Sequence, residues 1–535
     1  MDTLLSSSPE LVALGEPTHG EQEFLRRRNA LFADLVENHG FRSIAIESDR
    51  VAGLAVDDYV RGGAGTLESA METGFTHNFG RFAANRELVE WMRDHPEPLA
   101  FHGFDAPTEN TEAPSPRRFL TAVCEYVAPS AWAEIDDLLG DDEPWDEVLE
   151  AERSIGGSPR AVALRGRAED LLSMLYERAP GLVAGSSLAV WRRMEVLAKA
   201  AVGMLRYHAE VARPGPDRIA RLLSVRDAWM ARNLLDIRLI EADRGPTLVF
   251  ANNRHVQKYP GRIDVGGTEA EWAGAGAILS TLLGSRYVVI TGSLGESGVA
   301  EVRAPAAGTY EAELADGLTV RPVLDAVQRA DGSYRYFPLA AEDLATTDAV
   351  LHVAHGTAVA APLPVGDLPV GPSADELAEW IGSLPGVGTV VATEEMGAPQ
   401  NNWGNSFFSM TGDEYHPFAT IVLQDMAGFD EESALGRAGV YRVNVHAGRD
   451  AFGALFGFAP RELAERRGEF DYSALDVLLP HPVYGAQGWV CVLNPSAERM
   501  PAVMKLVGDA RHAAAARTAR RAEAGPPAGS GGVTG

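Results

Sequence analysis

Leu14-Gly15-Glu16-Pro17-Thr18-His19-Gly20 and Ile44-Ala45-Ile46-Glu47 are each an apolar run that stops abruptly at ionisable residues. Short apolar runs of this kind read as buried strands. In an open α/β sheet, the carboxyl ends of parallel strands face the crevice where ligands bind. The two stretches therefore bring one histidine, His19, and two carboxylates, Glu16 and Glu47, to that edge, a set of groups suited to proton transfer.

Outward from these stretches, strand signals fall at 11–16, 42–47, 98–104, 247–251 and 286–291. Helical patterns lie between them at 20–39, 50–61 and 85–95, followed by a long helical block over about 115–242. Alternation of this kind predicts an α/β fold: a mainly parallel sheet with covering helices and a large helical insertion. Within the block, Trp191, Met194, Met204 and Tyr207 are candidates for an apolar wall, although helix-spaced apolar residues more often build core. Short strand-like runs follow, among them Tyr334-Arg335-Tyr336-Phe337 and Ala349-Val350-Leu351-His352-Val353.

The first domain is expected to span 1–356. Residues 357–372 read as a Pro-rich linker. A separate α+β domain is expected over 373–508, opening on a helix capped by Ser373. It should contain a strand pair near 388–393 and 418–424, further strands at 440–445 and 488–493, and a helix over 449–467. His481 and Tyr484, between Pro480 and Gly485, read as turn punctuation. The Ala/Arg-rich and then Gly/Pro-rich end, 509–535, is expected to be a disordered tail.

The chain has 535 residues and a formal charge of −28. With so little basic surface to neutralise phosphates, the balance argues against nucleic acid and anionic membranes as partners. Arg carries nearly all the positive charge, since lysine occurs only at Lys199, Lys258 and Lys505. Cys124 and Cys491 are far apart in apolar surroundings, which suits a reducing cytoplasm. No signal-peptide pattern is visible and no apolar run is long enough to span a bilayer, so a cytoplasmic protein is expected.

The Leu14-to-Gly20 motif, its Glu23-x-x-x-x-Arg28 continuation and the Ile44–Glu47 run resemble the erythromycin esterase family. So do Gly80-x-Phe82-x-Ala84-Asn85-Arg86-Glu87-Leu88, Phe101-x-Gly103-Phe104-Asp105 and Val225-Arg226-Asp227-x-x-Met230-Ala231-x-Asn233. The resemblance covers about 8–355. It implies a hydrolase opening macrolide lactones, linked to antibiotic resistance, with a small-molecule ester or macrolide as substrate. It also implies roles for single residues: His19 as general base, with Glu16, Arg28, Glu47 and His255 at functional positions. A second family segment carries two histidines three apart. Here it reads Phe250-Ala251-Asn252-Asn253-Arg254-His255-Val256, with Asn252 at the earlier position. Asn hydrogen-bonds but does not titrate. Trp403–Phe408, Pro417–Val422 and Leu478–Gly485 resemble an uncharacterised actinobacterial domain.

Ester hydrolysis needs a base, an acid for the leaving alkoxide and a donor to the oxyanion. Neutral imidazole suits the first task. No full Gly-x-Ser-x-Gly elbow occurs; Gly295-Glu296-Ser297-Gly298-Val299 comes nearest. Direct attack by activated water is therefore expected. His77, Asn85 and Asn252 are candidate substrate-binding residues. Arg226 and Asp227 read as an internal structural pair. His19, Glu16, Glu47 and His255 offer nitrogen and oxygen donors to a divalent ion, but no His-Glu-x-x-His pair or cysteine cluster accompanies them, so no cofactor is expected. Two other readings stay open: a non-catalytic small-molecule sensor, motivated by Asn252 and the appended domain, and an esterase for another polyketide or acylated saccharide.

Overall fold

The computed structural model describes the chain except for residues 64, 78, 109–112, 147, 149–150, 266–267, 299, 301, 331, 333–335, 358–367, 394–401, 412–415, 427–428, 438 and 524–535. It comprises two compact units, Met1–Val359 and Ala360–Gly535, that divide within the Pro-rich stretch. Most of that stretch lies outside the described residues.

The first unit is built on a seven-stranded sheet of order β3-β2-β4-β1-β7-β9-β8. The strands are β1 (Leu11–Glu16), β2 (Ser43–Asp49), β3 (Ala100–Asp105), β4 (Thr247–Asn252), β7 (Tyr287–Glu296), β8 (Gly317–Val320) and β9 (Ala349–His355). All pair in parallel except β8, which runs antiparallel to β9. The period-2 alternation of side chains divides the apolar residues between the two faces. Val12, Leu14, Ile44, Ile46, Leu248 and Phe250 pack beneath the helices Gln22–His39, Gly53–Val60 and Ala83–Asp94. Leu11, Ala13, Ala45, Val249 and Ala251 face the helices Arg218–Glu241 and Ala275–Leu283. A strand covered on both sides has no polar face to show, which is why these runs read as continuously apolar.

The helix Gln22–His39 starts where the Glu21 carboxylate accepts the Glu23 N–H, and stops at Gly40, whose φ of 74° is left-handed. It buries Phe24, Phe32 and Leu35 completely, each contributing about 1.5–3 kcal/mol by transfer from water. The sheet is equally tight at its centre. A Cβ placed on Gly292 would lie 2.2 Å from the Gly15 carbonyl oxygen. Backbone cannot yield as a side-chain tip does, so Gly292→Ala is expected to lower stability by about 1–3 kcal/mol, read as a lower chemical-denaturation midpoint.

The helical block, from Arg117–Val127 to Arg218–Glu241, has its own core of Phe119, Leu120, Trp145, Leu164, Leu171 and Met204. Trp191 and Met194 pack against this core rather than forming a wall, and Met204 is wholly inside it. Tyr207 is half-buried and feels the charges of Arg226 and Asp105. Two further segments differ from what the sequence pattern suggests. A hairpin of β5 (Gly261–Val265) and β6 (Thr268–Trp272) follows β4, unannounced by strong alternation. Tyr336 and Phe337 are not in a strand. The Tyr336 hydroxyl docks on the Leu294 carbonyl and the Phe337 N–H on that of Pro17, so single contacts replace a ladder. Residues 334 and 335 lie outside the described residues.

The second unit is a six-stranded antiparallel sheet, in order β10 (Val387–Val391), β11 (Ser406–Met410), β12 (Ala419–Val422), β13 (Arg442–His446), β15 (Trp489–Leu493) and β14 (Leu478–Pro480). The predicted strands near 388–393 and 418–424 are not neighbours, because β11 lies between them. The predicted helix 449–467 breaks after Phe456 at Gly457, whose φ is 80°. Residues 509–523 do not belong to a disordered tail: a helix spans Met500–Glu523, with Val503, Val507, Ala510 and Ala514 buried in the unit's core. Alanine is both the best helix former and small enough for close packing, so a composition that suggested disorder serves a docked helix. The final residues, 524–535, lie outside the described residues.

Candidate active site

At the carboxyl edge of the first sheet, β1 presents Glu16 and, just beyond it, His19. Glu16 and Asn252 of β4 are register partners. The β2–β3 ladder shifts register between Ile46 and Asp49. Glu47 sits within that irregularity, the kind of feature that re-aims a side chain next to a site. The third strand ends on Asp105.

These side chains join into one network. His19 Nδ1 is 2.7 Å from Glu16 Oε1, and His19 Nε2 is 3.8 Å from Glu47 Oε1. His255 Nε2 is 3.3 Å from the same Glu47 oxygen, and His255 Nδ1 is 2.8 Å from Asp227 Oδ1. Glu47 Oε2 accepts the Asn252 backbone N–H at 2.8 Å. Arg226 reaches Glu47 Oε1 at 3.4 Å and donates to both Asp105 oxygens. The Glu16 and Glu47 carboxylates are buried, whereas the His19 side chain is 43% exposed. The cluster is thus a polar chain with one imidazole at its open end.

The charges are mutually adjusted. Burial alone pulls the His19 ring down, but the Glu47 and Glu16 carboxylates outweigh it, so its pKa is raised. His255 follows the same rule: burial opposes its charge, and Asp227 and Glu47 overcome it. Burial would push Glu47 up, yet His255, His19 and Arg226 hold it below the usual carboxylate range. Glu16 is pushed up by burial, which its His19 bond only partly offsets.

The other predicted residues take different places. Arg28 is fully buried, stacked 4.8 Å over the Phe250 ring, and donates to the side-chain oxygens of Asn29 and Asn85. Burial lowers its pKa to about 9, with Glu16 the one opposing charge. It therefore acts on the cluster through Glu16 and not by a bond to either imidazole. Asn85 is not a pocket wall. It is buried, accepts from Arg28 and donates to the Phe79 carbonyl. The Asn252 side chain caps the short helix Asn253–Val256 by accepting the Arg254 N–H at 3.0 Å. His77 Nε2 lies 3.1 Å from Asp105 Oδ2. Ser297 is buried and gives its hydroxyl proton to Glu21, so the near-elbow holds a structural serine. His19 precedes its helix and does not pair with Glu23, which bonds Arg27.

Arg226 and Asp227 are not a pair. Neighbours on a helix face different directions. Arg226 turns to Asp105 and Glu47, while Asp227 takes His255, the Trp272 indole N–H and the Ala275 N–H. Asp105 was the residue most open to detection, because Phe101-x-Gly103-Phe104-Asp105 repeats the pattern of an apolar run ending on a carboxylate.

Carboxylate-backed imidazoles at the carboxyl edge of a parallel sheet form an acid–base site of the kind hydrolases use. The pattern of the erythromycin esterase family matches residues 36–366, and the chain belongs to that family. The match begins downstream of Glu16, His19 and Arg28, so their place in the site rests on the geometry above. Residues 372–523 match a family of unknown function (DUF6194). A Bacillus cereus protein of known crystal structure shares the fold, at 16% identity and a TM-score of 0.50, over 66% of this chain and 91% of that one. A mutant of the erythromycin esterase EreC in its open conformation does likewise, at 19% identity and a TM-score of 0.50, over 66% of this chain and 93% of that one. No described helix is long and apolar enough to cross a membrane.

Proposed function

We propose that this protein is a carboxylic ester hydrolase that opens a macrolide lactone or related ester with water activated at His19. The observation that carries this reading is the His19–Glu16 bond of 2.7 Å. With Nδ1–H donated to Glu16, the tautomer is fixed and Nε2 keeps its lone pair at the exposed end of the cluster. Nε2 takes a proton from water as the oxygen attacks the acyl carbon. The resulting imidazolium is stabilised by Glu16 and Glu47. His255, held by Asp227 and raised in pKa, supplies a charged donor to the developing oxyanion. The chemistry is carried by the chain's own side chains.

A macrolide panel read by mass spectrometry tests this. A gain of one water is expected, at a rate unchanged by chelator. Product from none of the lactones, together with ligand-induced thermal stabilisation, would favour the sensor reading, for which Asn252 at a family histidine position speaks. The pH profile is a second test. The base acts unprotonated and its pKa is raised, so kcat/KM should fall on acidification through a pKa above His19's ordinary 6.5. A limb centred below 6.5 would contradict the assignment.

A further inference from the structure

Arg226, His19 and His255 each have a carboxylate partner: Asp105 and Glu47, Glu16, and Asp227. Further along the chain the pairing continues, with Lys258 Nζ 2.6 Å from Asp348 and Arg262 Nε 2.7 Å from Glu271. Arg254 departs from this pattern. Its backbone stands between His255 and Asn252, whose side chain accepts the Arg254 N–H at 3.0 Å. Helix neighbours point apart. His255 turns to Asp227 and Glu47, whereas the Arg254 guanidinium lies 4.6 Å over the Phe337 ring. The Phe337 N–H is bonded to the Pro17 carbonyl at 2.9 Å, two residues before His19. Arg254 is half-buried, and its Nε is buried without an acceptor. Its guanidinium makes no hydrogen bond or ion pair with any described residue, and the ring of Phe337 is its one close contact. Asp343 feels its charge but is taken up by the Tyr259 hydroxyl at 2.8 Å and the Ala340 N–H at 2.9 Å. Drawing a cation partly out of water without a partner costs free energy. A guanidinium is weakly hydrated, stacks on aromatic faces and presents a planar fork that matches a carboxylate.

We propose that Arg254 is a specificity-determining residue, and that the ester cleaved at this site carries a carboxylate bound by the two Nη groups of Arg254. The inference rests on the hydrolase reading and narrows its substrate class to an anionic ester. Arg254 takes no part in proton transfer. It supplies a charge that the protein leaves uncompensated, on a side chain steadied by the Phe337 ring and tied through the Phe337 backbone to the loop that carries His19. A carboxylate held there is bound apart from the network of Glu16, His19, Glu47 and His255, whose hydrogen bonds it leaves in place. Hydrogen bonds between a guanidinium and a carboxylate are charge-assisted and often bidentate, so they select for charge and for planar shape together.

The test uses the full chain and matched esters. Half-esters of glutarate and adipate place a carboxylate on the acyl side, and O-acetylated hydroxybutyrate and hydroxyvalerate place one on the alcohol side. Each is compared with its terminal amide, equal in size but neutral. The readout is the ratio of kcat/KM, acid over amide. Hydrogen bonds to a charged group contribute about 10- to 100-fold. A ratio of at least about 10 is therefore expected in one series, and that series tells which side of the ester carries the charge. Arg254→Met keeps an apolar stem over Phe337 and should bring the ratio to about unity, while Arg254→Lys, a point charge without the fork, should leave an intermediate ratio. Both esters meet the same protein sample, so any loss of folded enzyme cancels from the ratio. Ratios below about 10 in both series, or a ratio that survives Arg254→Met, overturns the proposal. Cleavage of a macrolide lactone but of none of the carboxylate esters overturns it alone and leaves the hydrolase reading standing. A chain that cleaves no ester at all overturns both.

Discussion

Replacing His19 by Ala is expected to reduce kcat/KM for ester hydrolysis by about 1,000-fold or more, toward the upper end of what a positioned base supplies. The melting midpoint should barely move. The reason lies in the geometry. The side chain is 43% exposed, its one short bond is to Glu16, and its link to the apolar core is a single ring contact with Phe79. Loss of activity and retention of fold are therefore separable at this residue, as they are not at Arg28, which is fully buried and tied to Asn85. Circular dichroism and a thermal melt on the purified variant, beside the substrate panel, check both halves. A variant that keeps more than about a tenth of the rate would remove His19 from the role of base.

Glu47→Gln is expected to have the second largest effect, and a distinctive one. Glu47 is the carboxylate shared by His19, His255 and Arg226. Gln keeps an oxygen for the Asn252 N–H but removes the charge. Both imidazoles are raised in pKa partly by that charge, so both should fall. His19 then stays neutral to lower pH, and the acid limb of kcat/KM should shift downward. The rate on the plateau should drop by about 100-fold, because neither the imidazolium nor the oxyanion donor is stabilised as before. Arg226 retains Asp105, so the variant is expected to fold. A plateau loss with an unmoved limb would show that Glu47 does not set the base's ionisation.

Much of this could be read from the chain. The strands β1, β2 and β4 are short apolar runs bounded by polar residues, and the buried centre of a parallel sheet demands that pattern whatever surrounds it. Glu16, His19 and Glu47 stood out because each interrupts such a run at the edge where ligands bind. Local signals also misled. Asn85 sits in a motif but turns inward to satisfy Arg28, and a motif carries no information about which way a side chain points. Arg226 and Asp227 are adjacent in sequence and opposite in charge, yet the helix sends them to different partners. The Ala-rich helix Met500–Glu523 was hidden because alanine carries little hydrophobic signal, and only the sheet it covers shows that it is core.

The sequence by itself determined the alternating architecture and the three residues at the strand ends, since both follow from local periodicity and from the cost of placing charge within an apolar strand. Only the tertiary structure decided which groups face one another. Glu47 meets His255 across more than 200 positions of chain, and Asp105 meets Arg226 across the whole helical block, with a sequence separation of 121. Contacts at that range are set by how layers pack, and no local pattern encodes them.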